Sequence, residues 1–119
     1  MAPLDQPIDA EADDEKAFAL KARHMSNTEL CLNYYGNQEP EARVELNRRH
    51  AVTPREWKLI DHKEMQIGMS EVALICSWGS TEAHRTVYAT HERKQYVYPN
   101  SRYVYVIDGK VTSFQDAQK

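Results

Sequence analysis

The chain has 119 residues, enough to bury one hydrophobic core but hardly two. Hydrophobic residues make up 41% and charged residues 28%, an ordinary globular balance, and a mean hydropathy of -0.74 leaves much of the chain to solvent. The formal charge of -3 hides an asymmetry: residues 1–15 carry six acids and no Lys or Arg, leaving the rest of the chain net +3. No apolar run is long enough to span a bilayer, and the N-terminus lacks the charged, apolar, small-residue order of a secretory signal. The sequence as written therefore reads as cytoplasmic, or as periplasmic and outer-membrane associated if an upstream signal has been removed.

In chain order, residues 1–12 combine Pro3, Pro7 and scattered acids with little apolar surface to offset the entropy of ordering. They are expected to form a disordered acidic tail ahead of a single α+β domain over 13–119, helical over 13–64. Residues 13–23 are good helix formers with acids first and bases last, suiting the helix dipole. Ser26 and Glu29 have capping-box spacing, and the run 30–35 is expected to stop at Gly36. Pro40 sits where a first helical turn tolerates it, opening a helix over 39–50. Thr53 and Glu56 form a second capping box, with Pro54 at the first helical position and Trp57 and Ile60 on the inner face of a helix reaching about residue 63. Ser70 caps the next helix, where Val72, Leu74, Ile75, Cys76 and Trp78 are apolar on nearly every side, so that helix lies inside and ends at Gly79.

Beyond Gly79 the apolar period changes from 3.6 to about 2. Strands are expected over 85–90, 93–98, 102–107 and 110–115, separated by His91-Glu92, Pro99-Asn100-Ser101 and Asp108-Gly109, the last a strong two-residue hairpin signal. These short links make a sequential three- to four-stranded antiparallel meander, with the N-terminal helices packed on it.

Ile67-Gly68-Met69-Ser70 through Trp78-Gly79, then Gln95-Tyr96-Val97-Tyr98, Tyr103-Val104-Tyr105-Val106 and Asp108-Gly109-Lys110-Val111-Thr112, resemble the SmpA/OmlA (BamE-like) family. That resemblance spans residues 65–116. It implies two helices packed on a three-stranded antiparallel sheet, as in small bacterial outer-membrane lipoproteins, and hence a cell-envelope setting. Gly68, Met69, Ser70 and Gly79 match structurally, and no binding residue is carried over.

Catalytic chemistry has little to rest on. The five histidines stand at helix ends and turns without HExxH-like spacing, and the two cysteines form no CxxC, so neither metal nor cofactor is expected. Cys76 lies between Ile75 and Trp78 and reads as a buried inert thiol, as does Cys31 beside Leu30 and Leu32. A bond between them requires their helices to pack side by side. The acids cluster on the tail and at helix starts, and there is no Gly-rich phosphate loop.

The functional signal is the sheet. Between Arg85 and Lys110 five bases meet two acids, interleaved with Tyr88, Tyr96, Tyr98, Tyr103 and Tyr105. Tyrosines on a sheet anchor protein partners, and with bases they stack on and neutralise nucleic acid. The expectation is a non-enzymatic protein-interaction module using Arg93, Lys94, Tyr96, Tyr98, Arg102, Tyr103 and Tyr105. The alternative is a small nucleic-acid-binding protein on the same basic, tyrosine-rich surface. The competing structural account is that these tyrosines are ordinary strand formers.

Overall fold

A computed structural model of the chain describes residues 17–80, 82–87 and 92–116, with no side-chain placement given for 82–87. The tail expected over 1–12, and the part of the first strand expected at 88–90, lie outside the described residues. Among the described residues, five helices precede a four-stranded antiparallel sheet of order β1-β2-β3-β4, an α+β arrangement. Helix α1 covers 17–22, then α2 Asn27–Asn37, α3 Pro40–Arg48, α4 Pro54–Asp61 and α5 Glu71–Trp78. The strands are β1 Glu82–Val87, β2 Glu92–Tyr98, β3 Arg102–Ile107 and β4 Lys110–Asp116.

Helix starts obey the capping chemistry. Ser26 and Glu29 exchange side-chain-to-backbone bonds at α2, and Thr53 and Glu56 do so at α4. At α5 the Ser70 side chain accepts from the Ala73 N–H at 3.1 Å. Glu56 also reaches further. One carboxylate oxygen accepts from Thr53 N at 3.0 Å and the other from Ser70 N at 2.7 Å, so a single buried side chain ties the starts of α4 and α5 together.

Helices α3 and α4 end two residues short of expectation, at Arg48 and Asp61, and two further boundaries differ. Helix α2 continues through Gly36 and stops at Gln38, which takes the left-handed conformation (φ 55°) and donates its N–H to Tyr34 O. The stop is set from downstream: Pro40 opens α3 and holds the preceding Glu39 extended. Strand β1 starts at Glu82, three residues earlier than read from the sequence, in a register that pairs Glu82 with Val97 and Val87 with Glu92. The Asp108-Gly109 hairpin is as expected, with both residues at positive φ and Ile107 opposite Lys110.

The core is one cluster running from Ala22 on α1 to Val111 on β4. Helix α5 lies at its centre, with five consecutive residues, Ala73 to Ser77, buried. Its start is laced to the sheet: Gly68 N donates to Val111 O, Val111 N to Met69 O, and Glu71 N to Gly109 O, all at 2.8–2.9 Å. At its end Gly79 adopts φ 81°, ψ -172°, a region essentially reserved for glycine. The Tyr35 ring packs where a Cβ would stand, with its nearest atom 2.8 Å from that position.

Helices α2 and α5 do pack side by side, and Cys31 and Cys76 form a disulfide with Cα atoms 4.4 Å apart and no solvent exposure at either residue. The inert-thiol reading of both cysteines is thereby corrected. The reason is tertiary: each cysteine stands on the apolar face by which its helix meets the other.

Glu45 on α3 accepts from Arg48 and from Arg49, which hold its carboxylate well below its ordinary 4.5, at about 2. Glu56 is also lowered: burial works against its charge, but the Thr53 and Ser70 N–H groups outweigh it. Carboxylates depressed by folding stabilise above their unfolded pKa and lose that contribution as pH falls through the folded one. Acid unfolding is therefore expected to develop below about pH 4.5, and Glu45→Gln and Glu56→Gln should each flatten the dependence of the denaturant midpoint on pH between about 5 and 2. A slope unchanged in both variants would place the acid sensitivity elsewhere.

Candidate interaction surface

The loop Pro99-Asn100-Ser101 pairs Tyr98 with Arg102, and this register sorts the sheet into two faces. Side chains alternate along a strand, so Lys94, Tyr96 and Tyr98 share a face with Arg102, Val104 and Val106. That face meets the helices. Arg93, Gln95 and Val97 share the other with Tyr103, Tyr105 and Ile107.

Tyr96 and Tyr98 are each only 4% exposed, so the expectation that they contact a partner is corrected: both belong to the core. Their rings stack at 6.2 Å between centroids. The Tyr98 hydroxyl donates to Gly79 O at 2.8 Å and the Tyr96 hydroxyl to Glu71. Burial raises both phenol pKa values above the ordinary 10, so they remain neutral donors. Lys94 is committed to the same interior edge, its ammonium 2.8 Å from Glu71. Arg102 lies at the rim, its guanidinium 4.6 Å from the Trp78 ring centroid and its Nε donating to Pro99 O. Lys94 and Arg102, expected in one contact surface with the tyrosines, thus stand apart from Tyr103 and Tyr105 on the helix side of the sheet.

Three of the seven expected residues remain on that open face: Arg93, Tyr103 and Tyr105. Arg93 is exposed and its guanidinium carbon lies 5.9 Å from the Tyr105 ring centroid. The Tyr105 hydroxyl accepts from Gln95 Nε2 and donates to Gln115 Oε1, both at 3.1 Å, fixing the ring across three strands. Tyr103, Tyr105, Val97 and Ile107 are all half-buried, shielded by one another along the sheet. A β-bulge between Tyr105 and Val106 leaves Thr112 as the extra residue on β4. Its hydroxyl donates to Tyr105 O at 3.3 Å, so the bulge is tied to the ladder beside Tyr105.

The face is thus a fixed aromatic and aliphatic patch with a cation at its border. It offers anchoring surface, and among the described residues no three His, Cys, Asp or Glu side chains are placed to hold a metal ion. Among the same residues no helix is long and apolar enough to cross a membrane. Searches against protein families, curated proteins and solved structures find no match to this chain.

Proposed function

We propose that the chain is a non-enzymatic interaction module of the cell envelope that docks a protein partner on the open face of its sheet. One observation carries the reading: the helices cover a single face, leaving Tyr103 and Tyr105 half-exposed and pre-positioned among Val97 and Ile107. Rigid amphipathic rings lose little entropy on binding, which is why tyrosine recurs at interface hot spots. The envelope setting is supported by the buried Cys31–Cys76 disulfide, since such bonds persist in oxidising compartments, and by the BamE-like pattern over residues 65–116.

The nucleic-acid reading is the second one, and charge placement argues against it, because Lys94 and Arg102 belong to the helix side with Glu71 and Trp78. Capture of a discrete protein from envelope extracts tests both. The double variant Tyr103→Ser/Tyr105→Ser should abolish capture while keeping the fold, and the parent complex should survive from about 0.15 to about 0.5 M salt. Capture retained by the folded double variant would refute the assignment. Capture of nucleic acid instead, lost steeply with salt, would favour the second reading.

A further inference from the structure

On the helix side, at the opposite surface of the sheet from Tyr103 and Tyr105, two adjoining hollows meet at Lys63 and Trp78 and together make a groove. One section, of about 420 Å³, is walled by Tyr35, Lys63, Trp78, Tyr98 and Arg102. The next, of about 460 Å³, shares Lys63 and Trp78 with it and continues to Leu59, Met65 and Phe114. Each falls in the size range of small-molecule sites. One end is therefore aromatic and cationic, and the other sets Leu59, Met65 and Phe114 beside Glu64 and Gln66.

Three hydrogen-bonding side chains of the wall are already used. The Tyr98 hydroxyl donates to Gly79 O, the Trp78 indole N–H to Lys63 O at 2.9 Å, and the Ser77 hydroxyl to Glu64 O. The charge available to an anionic ligand is a pair of cations, Lys63 and Arg102. The Lys63 ammonium sits 4.7 Å from the Tyr35 ring centroid. Arg102 spends its Nε–H on Pro99 O, which leaves its terminal nitrogens, while its plane covers Trp78. Neither cation has a carboxylate within ion-pair distance among the described residues. Among the described residues that line the two sections, the acid is Glu64, which belongs to the section that Arg102 does not line.

Aromatic faces hold both cations in place, and a planar carboxylate matches the fork of an arginine. We infer that this groove binds a carboxylate carried on an aromatic body, the anion between Lys63 and Arg102 and the body along Trp78 toward Leu59, Met65 and Phe114. The ligand is an arylalkyl acid, either as a free small molecule or as the last residue of a polypeptide. The site is independent of the tyrosine surface.

The test is a titration of the intact disulfide-bonded protein, followed by the indole N–H resonances of Trp78 and Trp57, with phenylacetate, phenylacetamide, acetate and inorganic phosphate. Phenylacetate should shift the Trp78 signal saturably, with a Kd on the order of 1 mM, and leave Trp57 in place. The other three should bind at least about tenfold more weakly, since each lacks the charge or the body. Lys63→Gln and Arg102→Gln should each weaken phenylacetate about tenfold, and Tyr103→Ser/Tyr105→Ser should not. An N-acetylated tripeptide ending in Phe with a free carboxylate separates the two sources: tighter binding than phenylacetate assigns a polypeptide terminus, equal or weaker binding a free acid. No saturable Trp78 shift up to about 10 mM overturns the site, and so does equal binding of phenylacetamide or phosphate.

Discussion

Replacing both Cys31 and Cys76 with alanine is expected to remove roughly 4 kcal/mol of stability, the loop-entropy value for a bond closing a sequence separation of 45. The bond acts mainly on the unfolded chain, but its place in the fold makes the loss felt beyond α2 and α5. Helix α5 is the hub of the core, and its start is hydrogen-bonded to Val111 of β4 through Gly68 and Met69 and to Gly109 in the preceding turn through Glu71. Equilibrium denaturation of the oxidised parent against the double alanine variant measures the effect, and the parent unfolded without reductant should titrate no free thiol. A denaturant midpoint shared by both proteins would show that packing alone holds the two helices.

Trp57→Ala should be about as damaging, at roughly 3–5 kcal/mol, the usual range for deleting a buried aromatic side chain. Trp57 is 6% exposed and joins three helices. Its indole N–H donates to Asn47 Oδ1 at 2.6 Å, its ring meets Tyr34 edge-on at 5.6 Å, and the Arg43 guanidinium covers it at 4.1 Å. Arg43 is itself held by the Asp61 carboxylate at 2.7 Å and by the Tyr34 hydroxyl at 2.8 Å, so truncation also leaves a cation without its platform. Trp57→Phe keeps the ring contacts but leaves Asn47 without its donor, and should cost about 1–3 kcal/mol. Equal losses in the two variants would mean that the indole N–H, rather than packing, carries the residue's contribution.

What was legible in the sequence was local. Ser26 with Glu29, Thr53 with Glu56, Pro40, Pro54 and the Asp108-Gly109 turn each fix backbone geometry within a few residues, and all five act as read. The disulfide could not be read in this way, because it depends on α2 lying against α5 across 45 residues. The division of the tyrosines was within reach. A three-residue loop pairing Tyr98 with Arg102 forces Tyr96 and Tyr98 to the face of Val104 and Val106, opposite Tyr103 and Tyr105, but only the helices decide which of those faces is covered. Trp78, read as part of an apolar helix lying inside, is half-buried at the rim of the sheet instead, edge-on to Tyr98 at 5.2 Å and to Phe114 at 6.1 Å, next to the turn at Gly79. The groove beside it combines residues from α2, α5, β2 and β3 with Lys63 just beyond α4, and no sequence spacing announces such a convergence.

The central claim is that the open sheet face is the contact surface. It is tested most directly by placing a photo-crosslinking phenylalanine analogue at Tyr103 and, in a separate variant, at Val44, which is exposed on α3 among the helices. Irradiation in envelope extracts should give one discrete protein adduct from position 103 and none from position 44. The same adduct from both positions, or an adduct from position 44 alone, would contradict the assignment.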